Sequence, residues 1–381
     1  MINPQNSTTE NMSVSHQQSN VKPLIFDLLP TLAQHIDWLN LDLVNAPVQK
    51  INEFDHQHLW IKRNDMINDT YGGNKLARLE FILADVLKQK KSHVITFGGS
   101  GSNFCLALAI FCQKLGLECT VCLFEQPVTK QVQQNIKLLH HFGAKIDYIP
   151  SILTSSFNFY LRHRLTALNA YFISPGGATV LGTIGAINSA LGLKQQIDNG
   201  EIPEPDYVIC PTASNCGMAG LALGFLLAGL KTTVIGVRTG RDYLGPVPLN
   251  TPDTVQKAML KTYRYLQDKA NLTQKLDLEP PTIINDFFGS GYGFPTKQGN
   301  SVSQLFKQKL DIELEATYTA KTCAALLELL KNPQYSNKNI LYWHTYQHKN
   351  FKAITDSVNS ADLPSNCADI LNQLAPITYS S

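Results

Sequence analysis

Short apolar runs and amphipathic segments alternate from about Leu59 onward, and the alternation predicts the elements of this chain. "HLWIKRND" reads as a strand, and "KLARLEFILADVLKQKK" puts Leu76, Leu79, Leu83, Val86 and Leu87 on one helix face. "SHVITFGG" is a strand ending in glycines, and "NFCLALAIFCQKLG" is a helix closed by Gly116. "ECTVCLF" predicts a strand, "TKQVQQNIKLLHHFG" a helix closed by Gly143, and "AKIDYIP" another strand. A helix is expected around Leu161 to Leu168, and "AYFISPGGATVLGTIGAINSALGL" then reads as a strand, a glycine-rich turn and a helix. "DYVICPTASNCGMAGLALGFLLAG" followed by "TTVIGVRTG" repeats the theme.

Strands alternating with helices imply an α/β fold whose parallel sheets are covered on both faces. Such sheets bind ligands in loops at the carboxyl ends of strands. The glycine-bearing loops at Phe97 to Ser102, Pro175 to Ala178 and Thr212 to Gly217 each follow a strand, so chemistry is expected there.

Composition narrows the partners. The chain has 381 residues, 44% of them apolar and 16% charged, with a net charge of +2. No long run of either sign occurs, so neither nucleic acid nor an anionic membrane is expected as the main partner. The longest apolar stretch, Met218 to Leu230, is too short for a membrane span. The first 22 residues are polar and lack a basic start and an apolar stretch; a disordered tail and a cytoplasmic setting are expected. Eight cysteines include a C-x-x-C at Cys119 and Cys122, but it lies inside a strand pattern with no second Cys/His pair of matching spacing. Those cysteines read as core residues, and no metal site is expected.

Candidate chemistry begins at "TYGGNKLARLE", which delivers Lys75 onto the first turn of a helix. A cation there opposes the helix dipole at a cost of about 0.3–1 kcal/mol. That field and partial burial both favour the neutral amine, the form that makes a Schiff base with an aldehyde cofactor. A solvated lysine after an Asn cap is the alternative from this stretch alone. "TASNCGMAGL" after the strand "YVIC" supplies a small-residue loop leading into a helix N-terminus, a cradle for a phosphate. The G-x-G-x-x-G of dinucleotide sites is missing, since Gly217, Gly220 and Gly224 are spaced otherwise, and so is the nucleotide triphosphate loop.

With these pieces in place the sequence resembles the 1-aminocyclopropane-1-carboxylate deaminase and D-cysteine desulfhydrase family, within the tryptophan-synthase-β-like class of pyridoxal phosphate enzymes. The resemblance runs from about Trp60 to Thr345 through "IKRNDM", "GGNKLARLEFILAD", "TFGGSGSN", "CQKLGLECTV", "SPGGATVLGTIGAINSAL", "GYGFPT", "EATYTAKTCAALL" and "LYWHT". It implies two open, mostly parallel twisted sheets flanked by helices, with pyridoxal 5'-phosphate in the cleft between two domains. The larger domain would combine residues 23–80 with 186–381, and the smaller would span 81–185. A homodimer is implied by analogy.

Residue by residue, the resemblance makes Lys75 the cofactor lysine and proton carrier, with Asn74 beside it. Ser102 would contact the substrate carboxylate and relay a proton, and Asn103 would bond the cofactor's phenolic oxygen. Tyr292 and Tyr318 match two active-site tyrosines, and Thr345 is the candidate for the pyridine nitrogen. Ser214, Asn215, Cys216 and Gly217 form the phosphate loop. Here Gly217 replaces a family threonine, so a hydroxyl contact is expected to be missing and Gly217→Thr to tighten cofactor retention. After Thr345, Tyr346 and Gln347 replace two glycines and are expected to crowd the ring; the loops in "VRTGRDYLGP" and "NDFFGSGYGFP" fit loosely.

The substrate implied is a small amino acid. Ring-opening deaminases of the family carry Y-E-G-K where this chain has Tyr318-Thr319-Ala320-Lys321, closer to the Y-T-G-K of the desulfhydrases. The favoured activity is therefore β-elimination from D-cysteine, giving a keto acid, ammonia and sulfide. Ring-opening deamination and a cofactor-binding protein with little catalysis are the alternatives. A nicotinamide dehydrogenase lacks its fingerprint.

Overall fold

The β-branched and aromatic runs form strands where the alternation places them. The computed structural model describes residues 22–373; the predicted tail, Lys22 apart, lies outside them. In chain order the strands are β1 (Val48–Ile51), β2 (Leu59–Arg63), β3 (His93–Gly99), β4 (Glu118–Phe124), β5 (Lys145–Tyr148) and β6 (Tyr171–Ile173). They continue with β7 (Tyr207–Thr212), β8 (Thr233–Arg238), β9 (Tyr243–Leu244), β10 (Val247–Pro248), β11 (Ile283–Ile284) and β12 (Ile340–His344).

Two sheets result. The smaller has the order β5-β4-β3-β6 and every neighbouring pair is parallel. The larger has the order β1-β2-β12-β7-β8-β11, parallel except for the antiparallel edge pair β1–β2. β12, from late in the chain, slots between β2 and β7, and all five of its residues are buried. Strands covered on both faces read as unbroken apolar runs, which is why "ILYW" and "VITF" show no alternation. β9 and β10 form a separate hairpin.

Helices cover both sheets. They are α1 (Leu24–Leu28), α2 (Leu76–Lys88), α3 (Asn103–Lys114), α4 (Lys130–His141), α5 (Ile152–Phe157), α6 (His163–Thr166) and α7 (Val180–Asp198). Then come α8 (Cys216–Leu227), α9 (Pro252–Ala270), α10 (Lys297–Leu310), α11 (Thr319–Leu329), α12 (Lys352–Ser357) and α13 (Ser365–Asn372). Ser102, Thr129 and Thr179 accept the first-turn amides of α3, α4 and α7, as capping side chains do.

Three details depart from the sequence expectations. The helix expected around Leu161 begins at Ile152 and passes through a π-turn, Asn158–Arg162, before α6. Leu87, expected on the buried face of α2, is 40% exposed, whereas Leu76, Leu79, Leu83 and Val86 are buried. The C-terminal segment leaves the larger sheet after β12: Phe351, Leu363, Cys367 and Ile370 join the apolar cluster of α3 and α4.

Close helix packing places the lysine-bearing turn. A side chain on Gly185 of α7 would put its Cβ 2.0 Å from the Ala77 carbonyl oxygen of α2. The two helices touch backbone to side there, so α7 sets the depth of α2. Gly185→Leu should therefore cost about 1–3 kcal/mol or more through overpacking, read as a lower midpoint in urea unfolding.

Candidate active site

The carboxyl ends of β3, β6, β7, β8 and β12 lead into loops that surround one cavity of about 410 Å³ between the two sheets. Of the residues singled out by sequence, Asn74, Lys75, Ser102, Ser214, Asn215, Gly217, Tyr292, Tyr318 and Thr345 line it.

Lys75 occupies the N-cap position of α2. The turn before it is held by Gly73, whose φ of +93° suits glycine. A Cβ there would also lie 2.8 Å from the Thr345 carbonyl oxygen, so the lysine turn and the end of β12 abut at glycine. Lys75 Nζ donates to Asn74 Oδ1 at 2.7 Å and stands 5.9 Å from the centre of the Tyr318 ring. Burial first, and then the Arg78 charge, pulls its pKa down from 10.5 to about 7, against smaller raising effects of Cys216 and Glu315. The neutral amine expected from the sequence is thus favoured chiefly by burial.

Facing the lysine, the Tyr292 and Tyr318 hydroxyls share a hydrogen bond at 2.5 Å, with ring centres 6.0 Å apart. Burial holds both phenols well above their ordinary pKa, so each keeps its proton. Ser102 caps α3, its Oγ accepting from the Cys105 amide at 3.3 Å, while it also lines the cavity. Its hydroxyl proton is left to donate.

Two of the sequence candidates are placed elsewhere. Asn103 begins α3, and its Oδ1 accepts from Gln131 at 2.9 Å and Asn135 at 3.3 Å, on the α4 side. It does not line the cavity, because a side chain at that helix position is directed to the neighbouring helix. Cys216 sits beneath the loop, its thiol donating to the Gly177 carbonyl oxygen at 3.4 Å, and it does not line the cavity. Tyr346 and Gln347 do not line the cavity either, so the expected crowding is not seen.

Sequence reasoning passed over Arg78, one helical turn after Lys75 and therefore on the same face. It lines the cavity; its Nη1 donates to the Gly176 carbonyl oxygen at 2.6 Å and to Ser214 Oγ at 3.4 Å, and its buried Nε finds no partner. A Cβ on Gly217 would come 2.5 Å from its Nη2. The guanidinium thus fills the space that the family threonine would take. The Gly217 and Met218 amides in the first turn of α8 precede its first intrahelical bond, Ala219 to Asn215, and lie at the same wall, whereas the Cys216 amide donates to the Ser214 carbonyl oxygen. A buried cation with an unpartnered N–H beside a helix N-terminus is a donor set suited to a phosphate.

Thr319 and Glu315 are bound up with each other and with the backbone. The Thr319 hydroxyl accepts from the Glu315 amide at 2.8 Å and does not line the cavity, so it is no partner for a bound ring. The buried Glu315 carboxylate accepts the amides of Thr317, Tyr318 and Thr319 at 2.7–2.8 Å. Burial pushes its pKa up, and those three bonds favour the ionised form. Among the described residues, no aspartate or glutamate lines the cavity.

Away from the cavity, Cys122, Asp147 and His163 bring one possible metal-ligand atom each within 4.8 Å of one another. His163 Nε2 already pairs with Asp147 at 2.8 Å. All eight cysteines are unpaired and buried.

Comparison with known proteins agrees with this geometry. Residues 39–345 match the family described as pyridoxal-phosphate dependent enzymes. The chain is 29% identical over 319 residues to a D-cysteine desulfhydrase of Serratia proteamaculans, covering 80% of this chain and 92% of that protein. It is 29% identical over 321 residues to one of Klebsiella pneumoniae, covering 80% and 93%. A crystal structure of an ACC deaminase homologue superposes with a TM-score of 0.71 at 21% identity, covering 89% of this chain and 99% of the other. A fungal L-serine ammonia-lyase from Rhizomucor miehei superposes with a TM-score of 0.57 at 16% identity, covering 83% and 98%.

Two outcomes test this site. Borohydride-trapped labelling of the cofactor-free protein with pyridoxal phosphate should fall on the Lys75 peptide. Its rate should rise through about pH 7 and then level, since the neutral amine attacks; an unshifted lysine would keep gaining up to about 10.5. Gly217→Thr should loosen cofactor retention in dialysis, the reverse of the sequence expectation, because the new side chain displaces Arg78.

Proposed function

This chain belongs to the pyridoxal-phosphate dependent enzyme family, and we propose that it eliminates the β-substituent of a small D-amino acid, with D-cysteine as the fitting substrate. Sulfide, ammonia and a keto acid would be the products. The observation that carries this reading is a cavity with a buried amine and two protonated phenols but, among the described residues, no side-chain carboxylate in its wall.

Arg78, the first turn of α8 and Ser214 would hold the phosphate, and Thr345, at the end of β12, would face the ring nitrogen. The bound group supplies an aldehyde that condenses with amines and a ring that draws electrons from the substrate's α-carbon. The amides at the start of α3 and the Ser102 hydroxyl would bind the substrate carboxylate. Lys75, neutral near pH 7, takes the α-proton. As the carbon–sulfur bond breaks, its electron pair leaves with sulfur, and the Tyr292–Tyr318 pair donates the proton that sulfur needs. Water then releases ammonia and the keto acid.

The relatives named D-cysteine desulfhydrase support this substrate. A neutral partner at the ring nitrogen favours a substrate with a ready leaving group. Opening a cyclopropane expels none, and it would gain most from a carboxylate that the wall lacks.

We also read the chain as two domains, 23–80 with 186–381 and 81–185. Sheet membership supports the division, with β3 to β6 all in the smaller sheet, while the segment after β12 packs on α3 and α4 of the smaller unit. A homodimer is proposed too. Leu153, Phe157, Leu161 and Leu165 recur every fourth residue along the helix from Ile152 and are exposed, an apolar stripe suited to a second copy. A cytoplasmic setting is supported by eight unpaired cysteines, as a reducing compartment allows. Among the described residues no helix is long and apolar enough to cross a membrane.

A panel of amino acids assayed for keto acid decides the substrate. D-cysteine and β-chloro-D-alanine should turn over, and 1-aminocyclopropane-1-carboxylate should be inert. Faster turnover of the cyclopropane substrate would refute the argument from the wall, and inertness toward all three would leave a cofactor-binding protein or a different amino-acid substrate. Tyr292→Phe should lower turnover of D-cysteine by about 10²-fold or more, the usual weight of a general acid.

A further inference from the structure

The mechanism leaves the buried cation of Lys321 without a task. Lys321 is 0% exposed and sits in the first turn of α11, one turn after Tyr318. A cation at a helix N-terminus inside the protein is doubly unfavourable. Burial accordingly pulls its pKa from 10.5 to about 8, with Glu315 opposing.

What its ammonium touches explains its position. Nζ donates to the Phe288 carbonyl oxygen at 2.7 Å and to the Gly291 carbonyl oxygen at 3.0 Å. Both acceptors lie in the loop that carries Tyr292. Between β11 and α10 that segment has no regular helix or strand, and Gly289 and Gly293 have φ of +70° and +81°. Its backbone bonds, Phe288 to Asn285 and Phe294 to Gly291, are long at 3.3 Å. Phe288 is further held between two cations, 5.1 Å from Lys321 Nζ and 4.4 Å from the Arg238 guanidinium. Such a loop has little rigidity of its own, so the ammonium is its chief anchor.

The other tyrosine belongs to the same turn. Tyr318 is the N-cap residue of α11, and the Glu315 carboxylate grips the amides of Thr317, Tyr318 and Thr319. One helix end therefore carries Tyr318 directly and reaches Tyr292 through Lys321.

We propose that Lys321 is a positioning residue, whose buried ammonium fixes the Phe288–Gly291 carbonyls and so keeps the Tyr292 hydroxyl on that of Tyr318. The proposal rests on Tyr292 acting as proton donor, and the experiment separates the two. In the cofactor-loaded enzyme, Lys321→Met keeps the stem and removes the charge. It should lower kcat on D-cysteine by about 10- to 100-fold, the effect of a small misplacement of a reacting group, with KM changed less than about threefold. Deuterium exchange should speed up in the peptide around residues 286–295 and stay unchanged in α11. The decisive arm is the double variant. Lys321→Met should cost nothing further in a Tyr292→Phe background, because it acts only through that hydroxyl.

Multiplying losses in the double variant, or unchanged loop exchange in Lys321→Met, would overturn the proposal. Lys321→Gln, which keeps two donors on a shorter stem, is made alongside. If neither variant folds, Lys321 is a stability residue and the proposal falls. If Tyr292→Phe leaves kcat intact, the proton-donor reading fails, and the exchange measurement still reports whether Lys321 holds the loop.

Discussion

Keeping the amine of Lys75 in a protein-walled cavity, its charge unneutralised by any side-chain carboxylate of the described residues in the wall, is the constraint on which the cavity is built. An ammonium in such a place loses its hydration, and neutralisation is the cheaper outcome. The surroundings are arranged accordingly. Asn74 offers a neutral acceptor, Arg78 adds a like charge from the same helix face, and Glu315 spends its carboxylate on backbone amides. The same lack of negative charge makes the wall hospitable to a phosphate and a carboxylate, both anions. Reactivity of the lysine and affinity for its ligands thus have one electrostatic origin.

The cradle opposite shows a steric exchange. A threonine at position 217 could offer one hydroxyl, whereas the glycine present admits a guanidinium with its whole charge. Hydrogen bonds to a charged donor are roughly twice as strong as neutral ones. On the proposed phosphate site, the substitution that looked like a loss in the sequence would be compensated from α2, a helix some 140 positions away along the chain.

Legibility followed the range of the forces involved. Strands buried on both faces and helices closed by glycine carry local signals, so β3, β4, β7 and α2 were readable, as was the lysine turn. The segment "SILTSSFNFY" was not read as helical because serines, threonine and asparagine interrupt its apolar period, and a π-turn shifts its phase. For Asn103 the motif fixes the position at the start of α3 but not the direction of the side chain, whose Oδ1 accepts from Gln131 and Asn135. Lys321 gave no local sign of its task, since its acceptors lie about 30 residues away, in a loop whose path no propensity determines.

The route of the chain between the sheets also bears on how it is made. Residues 93–173 complete the smaller sheet early in synthesis, yet part of the apolar cluster of α3 and α4 is supplied by Phe351, Leu363, Cys367 and Ile370. The central strand β12 of the larger sheet emerges only just before them. A ribosome would release everything up to β12 before the larger sheet had its full complement of strands, leaving β2 and β7 unjoined and α4 partly bare meanwhile. Exposed strand edges and apolar faces are what chaperones bind and what aggregates grow from. Truncations near the C-terminus would therefore harm the yield of folded chains well out of proportion to the residues removed.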